Sequence, residues 1–214
     1  MNYKALILDL DGTLVESIPG IEASANLAFA ETGFPTRTTA EVFSFIGNGS
    51  WDFFKKALPT EPDETIKKVE SVFKRHYPEQ WRAGTSVFDG IFDFLKFAQN
   101  KGIKLTVLSN KPHPFTVEIV SALFSEIDFE IVMGQSEGIE KKPAPEGTLL
   151  ILEKLGISPE DALFIGDSIV DINTAHNAKV DCAAVTWGYE PLEEIQALKP
   201  KFIVDKVVNL YEIL

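Results

Sequence analysis

The chain has 214 residues, 45% of them hydrophobic, with a formal net charge of −12 and a single cysteine. This size and composition fit a globular protein with one large domain, or a core plus a smaller module. The negative charge argues against nucleic acid or an anionic membrane surface as partner. One cysteine excludes an internal disulfide and fits a reducing compartment.

The first element is the run Ala5-Leu6-Ile7-Leu8, which reads as a buried parallel strand. It is too short for a secretory leader, and no apolar run approaches the ~18 residues of a membrane span. The expected setting is therefore soluble and cytoplasmic. Asp9 and Asp11 follow the run, with Gly12 and Thr13 behind them. Carboxylates seldom sit against such a run unless they are paired or bind metal. In open α/β sheets, ligands collect beyond the carboxyl ends of strands. An Asp-x-Asp-Gly stretch is also a common turn, so other residues must support a chemical role.

From Glu16 to Gly84 no convincing strand occurs. Helices are predicted over Ile21–Ala30, ended by Gly33, and over Ser50–Leu58 and Asp63–Tyr77. Thr38 with Glu41 forms a candidate capping box. Four helices exceed an ordinary crossover, so residues 17–84 are read as an inserted helical module, leaving 1–16 and 85–214 as the core.

Beyond the insert, strand-like runs recur at Ile103–Leu108, Phe129–Met133, Ala162–Ile165, Cys182–Val185 and Phe202–Val204. Helical patterns lie between them. One runs from Ile91, with Asp89 as N-cap and Gly102 at its close; another covers Thr148–Leu155 and ends at Gly156. This alternation predicts right-handed βαβ units and a parallel sheet. Cys182 reads as a small core residue.

Three further groups fall at or just after predicted strand ends. They are Ser109-Asn110, Lys141-Lys142-Pro143, and the stretch Gly166-Asp167-Ser168-Ile169-Val170-Asp171. Taken singly, each has a plain reading: Ser109 or Asp167 as a helix cap, the lysines as a solvated pair. Together they bring several carboxylates, a hydroxyl, an amide and a lysine to one edge of one sheet.

In the order and composition of these four stations the chain resembles the haloacid dehalogenase superfamily, over nearly its whole length. The resemblance implies a Rossmann-like α/β core with a parallel sheet flanked by helices, an inserted α-helical cap, and Mg²⁺ as cofactor. It implies Asp9 as nucleophile and Asp11 as general acid and then base. Ser109, Asn110 and Lys142 would hold phosphoryl oxygens, with Thr13 among the substrate contacts. The metal would be held by Asp9, Asp11, Asp167 and Asp171. Asp11 favours phosphoryl transfer over dehalogenation, because an alkoxide leaving group needs a proton.

Phe45-Ile46-Gly47-Asn48-Gly49, Asn110-Lys111-Pro112 and Val185-Thr186-Trp187-Gly188-Tyr189 resemble the phosphoglycolate-hydrolysing subgroup. Gly47, Asn48 and Gly49 are then candidate substrate contacts, since exposed backbone N–H groups suit a small carboxylate. The subgroup implies 2-phosphoglycolate as leading substrate. Pyrophosphate, nucleotide or sugar phosphates, a sugar phosphomutase activity and a non-catalytic binding role are the alternatives. The expected partner is a small phosphorylated metabolite, and the expected state a monomer or homodimer. Two positions depart from the family's usual pattern: Glu16 in place of Asp, and Lys179 in place of a glycine.

Overall fold

The computed structural model describes residues 3–214, and the chain forms two compact units: residues up to 15 with 87–214, and residues 16–86. The first unit is an α/β core. Its sheet is six-stranded and parallel, with order β5-β4-β1-β6-β7-β8. These strands are β1 (Ala5–Leu8), β4 (Lys104–Pro112), β5 (Phe129–Gln135), β6 (Ala162–Gly166), β7 (Asp181–Val185) and β8 (Phe202–Val204). Each predicted apolar run is thus a strand. The short strands β2 (Val15–Glu16) and β3 (Ser86–Val87) pair as a separate two-stranded sheet.

β1 lies between β4 and β6, with Leu8 in register with Val107 on one side and Ile165 on the other. Chain order reverses around this strand, which makes its carboxyl end the expected crevice. Strand side chains alternate between faces. Ala5, Ile7, Ala162, Phe164, Cys182 and Ala184 form one buried cluster with Ile151 and Leu152 of α7 (Glu146–Leu155), Ile172 and Ala175 of α8 (Ile169–Ala178) and Ile195 of α9 (Leu192–Ala197). Leu6, Leu8, Leu163 and Ile165 alternate with them and are equally buried. Cys182 is a core residue, its thiol held well above the usual range by burial. α5 (Ile91–Asn100) packs on β4, and α6 (His113–Leu123) packs on β4 and β5. Within this unit the Phe88 N–H donates to the Leu14 carbonyl, 3.2 Å away.

The second unit holds α1 (Ile18–Thr32), α2 (Thr39–Phe45), α3 (Gly49–Ala57) and α4 (Asp63–Gly84). The Thr38–Glu41 capping box is present, and Gly33 closes α1 in the left-handed conformation. Its interior is aromatic: Phe54 makes edge contacts with Phe29, Phe53 and Phe73, and Phe73 stacks on Tyr77.

Two helices run further than their sequence pattern suggests. α1 begins at Ile18, because Pro19 in a first turn forfeits no helical hydrogen bond. α4 continues through Pro78 to Gly84. The loss of one backbone bond at Pro78 is offset by burial of Trp81 and by a close helix approach, since a Cβ on Gly84 would lie 2.4 Å from the Gly20 nitrogen.

Lys179 ends α8 with φ of 58°, a left-handed conformation that a side chain strains. Lys179→Gly is expected to add about 1 kcal/mol, raising the melting temperature by roughly 2–4 °C for a chain of this size. A thermal melt of the two proteins checks this.

Candidate active site

Asp9 is positioned by the sheet itself. Its N–H donates to the Ile165 carbonyl at 2.9 Å, extending the β1–β6 pairing one residue past the strand. The chain then turns sharply. Gly12 adopts φ of 83°, its N–H donates to the Val15 carbonyl, and the N–H groups of Leu14 and Val15 both donate to the Leu10 carbonyl. Gly12 is also required for space, because a Cβ there would sit 2.4 Å from Asp167 Oδ2.

Asp167 directly follows β6 and is buried. The Thr13 hydroxyl donates to its Oδ1 at 3.0 Å and the Tyr189 N–H to its Oδ2 at 2.8 Å. A Cβ on Gly188 would lie 2.3 Å from the Asp167 Cβ. Two loops thus grip this carboxylate. Asp167 is not the helix cap. Ser168 is the N-cap of α8 and Asp171 its N3 partner, a reciprocal capping box. Asp167 and Asp171 therefore do not share a helical turn, because the helix starts at Ile169.

Asp171 is fully buried and both its oxygens are engaged. Oδ2 accepts from the Ser168 N–H and hydroxyl, and Oδ1 accepts from Lys142 Nζ at 2.6 Å. Lys142 Nζ also lies 2.8 Å from Asp9 Oδ1 and faces the Phe164 ring. Lys142 therefore bridges Asp9 and Asp171.

Oxygens of Asp9, Asp167 and Asp171 lie within 4.8 Å of one another, and all three residues are buried. Burial and the charge of Asp171 push the Asp9 carboxyl up to about 7, against the pull of Lys142. Burial, then Asp171 and Asp9, push Asp167 well above the usual carboxylate range. Lys142 is held above its ordinary value: burial opposes the ammonium, and Asp171 and Asp9 outweigh it. Fully ionised, three carboxylates against one ammonium would carry two uncompensated negative charges, the deficit that one divalent cation would fill. Hard oxygen donors suit such an ion. The residues present fit a metal.

Asp11 stands apart from that cluster. Its Oδ2 is paired with Lys111 Nζ at 2.8 Å, while its Oδ1 is buried without a hydrogen-bond partner. The strand β4 does not stop at Leu108. It continues to Pro112, with a register shift against β5 between Leu108 and Pro112. Such irregularities re-aim side chains. Ser109, Asn110 and Lys111 fall inside this segment and are all buried. Ser109 is therefore a strand residue, not a helix cap. Its Oγ accepts from the Lys111 N–H, and the Asn110 amide donates to the Lys142 carbonyl at 2.9 Å.

The structure thus brings Asp9, Asp167, Asp171 and Lys142 together, with Thr13 and Asn110 as direct supports. Thr13, expected at the substrate, directs its hydroxyl to Asp167 and is fully buried. Gly47, Asn48 and Gly49 lie in the helical unit, where Asn48 is the N-cap of α3 and both glycines have positive φ. Lys111, Gly188 and Tyr189 carry site contacts that the sequence pattern does not assign.

A parallel sheet bearing this carboxylate–lysine cluster at its carboxyl edge is the frame of a phosphoryl-transfer hydrolase. A profile of the haloacid dehalogenase-like hydrolases matches residues 6–185, and the chain belongs to that family. It is an enzyme of the family's phosphatase kind. The chain is 32% identical to phosphoglycolate phosphatase of Escherichia coli (strain K12), over 98% of its own length and 91% of the relative's. The same enzyme of Salmonella typhimurium (strain LT2) is also 32% identical, with the same coverage. A crystal structure of a predicted phosphoglycolate phosphatase from Haemophilus somnus superposes with a TM-score of 0.93 at 28% identity, covering 100% of this chain and 98% of that one. No helix among the described residues is long and apolar enough to cross a membrane.

Proposed function

We propose that the protein is a Mg²⁺-dependent phosphatase of small phosphorylated metabolites, with 2-phosphoglycolate the leading candidate. The observation that carries this is the buried Asp9 beside Lys142 and Asp167, with Asp11 two residues further on. The names of the relatives support the substrate.

Asp9 attacks phosphorus, forming an aspartyl-phosphate as the ester P–O bond breaks. Asp11 gives its proton to the leaving alkoxide. Asp11 then takes a proton from water, whose oxygen attacks phosphorus. Inorganic phosphate leaves and Asp9 is restored. Lys142 balances charge at Asp9 throughout, anchored by Asp171 on one side and by Asn110 at its backbone. Ser109 and the Asn110 backbone hold phosphoryl oxygens. Asp9, Asp167 and the Asp11 backbone carbonyl would hold Mg²⁺, with Asp171 completing the acidic set. The bound ion would shield an anionic nucleophile from an anionic phosphate. Residues 17–84 serve in this reading as the recognition cap, with Gly47, Asn48 and Gly49 as its substrate loop.

A panel of phosphate monoesters with and without Mg²⁺, alongside Mg²⁺-dependent binding of beryllofluoride, tests the assignment. Absence of both turnover and complex formation would sink it.

The metal-free protein should also report the acidic cluster directly. The Asp9 carboxyl titrates at about 7 in the folded chain, against an ordinary value of 3.8. A raised acid binds its proton more tightly when folded. Its stabilising effect is therefore full below about 3.8 and is lost as pH rises through about 7. The slope is at most about 1.4 kcal/mol per pH unit for one proton. Added Mg²⁺ is expected to reverse this loss, stabilising by about 2.7 kcal/mol at one hundred times its Kd. The gain in melting temperature should be larger at pH 8 than at pH 5, as melts with and without EDTA would show.

A further inference from the structure

We propose that Lys111 recognises a carboxylate on the leaving group, which makes it a specificity residue for phosphate monoesters of small hydroxy acids. The inference rests on the phosphatase reading above and assigns the substrate class within it.

Lys111 is a lysine with a built position. Its side chain is only 6% exposed, deeper than the 15% of Asp11, the carboxylate it accompanies. Lysine is rarely so buried. Its backbone is clamped on both sides: the N–H donates to Ser109 Oγ, and the carbonyl accepts from the Thr116 hydroxyl at 3.2 Å. A Cβ on Gly134 would lie 2.6 Å from that carbonyl, so β5 leaves room for this one approach. A buried ion pair contributes little net stability compared with apolar packing. The clamping of Lys111 therefore points to a task at the ammonium rather than to fold maintenance.

Position defines the task. A proton donor must come within about 2.6–3.2 Å of the oxygen it protonates. Lys111 Nζ is 2.8 Å from the carboxyl of the group that does so here. The ammonium is thus within roughly 8 Å of the ester oxygen, the two contacts plus the span of one carboxyl group. In a phosphorylated 2-hydroxy acid the carboxylate is attached to the carbon bearing that oxygen. It falls in the same space as Asp11 and competes for the same ammonium. The phosphoryl end is served by Lys142 and the acidic cluster. Lys111 serves the opposite end. When a hydroxy-acid ester binds, its carboxylate takes over the ammonium from Asp11 Oδ2, and the Asp11 carboxyl turns to the ester oxygen. An ester of a neutral alcohol offers no replacement anion, so Asp11 must leave its ion pair without compensation.

The test compares 2-phosphoglycolate with ethyl phosphate, which has the same chain length and no carboxylate. Steady-state KM and kcat are measured for wild type, Lys111→Met and Lys111→Arg. Wild type is expected to favour phosphoglycolate at least tenfold, chiefly in KM. Lys111→Met should shrink that preference to under threefold, and Lys111→Arg should restore most of it. Parallel losses on both esters, with the preference intact, would show a structural role and overturn the proposal. So would a wild type that does not distinguish the two esters, a result that needs no variant to fold. A wild type that hydrolyses neither ester and binds no beryllofluoride would remove the phosphatase reading itself, and the proposal with it.

Discussion

Replacing Lys142 with methionine is expected to destabilise the protein by about 3–5 kcal/mol, the usual cost of removing one partner from a buried charge set. Roughly 2–4 °C of melting temperature per kcal/mol applies to a chain of this length, so a fall of about 10 °C should be measured. The cause is specific. The ammonium touches Asp9 and Asp171 at 2.8 and 2.6 Å, and its side chain is 3% exposed. Without it, Asp9, Asp167 and Asp171 face one another with no internal cation. The penalty should depend on pH with a defined sign. Asp9 and Asp167 are already held above the ordinary carboxylate range, and loss of the ammonium pushes Asp9 further. Protonation relieves the repulsion, so the variant should approach wild-type stability towards pH 4–5 and fall away above pH 7. Melts across that range check this. A uniform loss at all pH values would instead mean that Lys142 matters only for packing against Phe164.

Asp9→Asn separates chemistry from folding in the opposite direction. Turnover should drop by at least about 10⁴-fold, as when a nucleophile is removed from a catalytic unit, and no phosphoenzyme should form. Stability of the metal-free protein at pH 7–8 should hold or rise, because one of three clustered carboxylates becomes neutral. The gain should shrink as pH falls below about 7, where folded Asp9 takes up a proton, and vanish below about 3.8, where the unfolded chain is protonated as well. The asparagine protein should also lose most of its stabilisation by Mg²⁺. Activity surviving in this variant would refute the nucleophile assignment.

The carboxylate–lysine cluster is readable from sequence because charge sits where apolar runs end. Asp9 and Asp167 follow β1 and β6 by one residue, and parallel strands collect their carboxyl ends at one edge. Lys142 is readable only in company, since a lysine beside another lysine gives no sign of burial. What stays hidden is the outcome of long-range pairing. Nothing local marks Lys111 as buried, because the apolar run before it ends at Leu108. Its partner lies 100 residues away, and the strand runs on to Pro112. The resemblance places Thr13 among the substrate contacts, and nothing local shows that its hydroxyl donates to a carboxylate 154 positions distant. The boundaries of α1 and α4 are obscured by Pro19 and Pro78. One proline costs a first turn nothing, and the other is outweighed by buried neighbours.

The hydrogen bond from Phe88 to Leu14 has a wider consequence. It brings both ends of the excursion through residues 16–86 to one point of the α/β unit. That unit therefore closes its own backbone across the gap, whatever chain is spliced there. A helical cassette of another length inserted at that point would leave the strands and the carboxylates at their ends in place. Selectivity vested in Lys111 would survive such an exchange, because that lysine travels with the strands and not with the cassette.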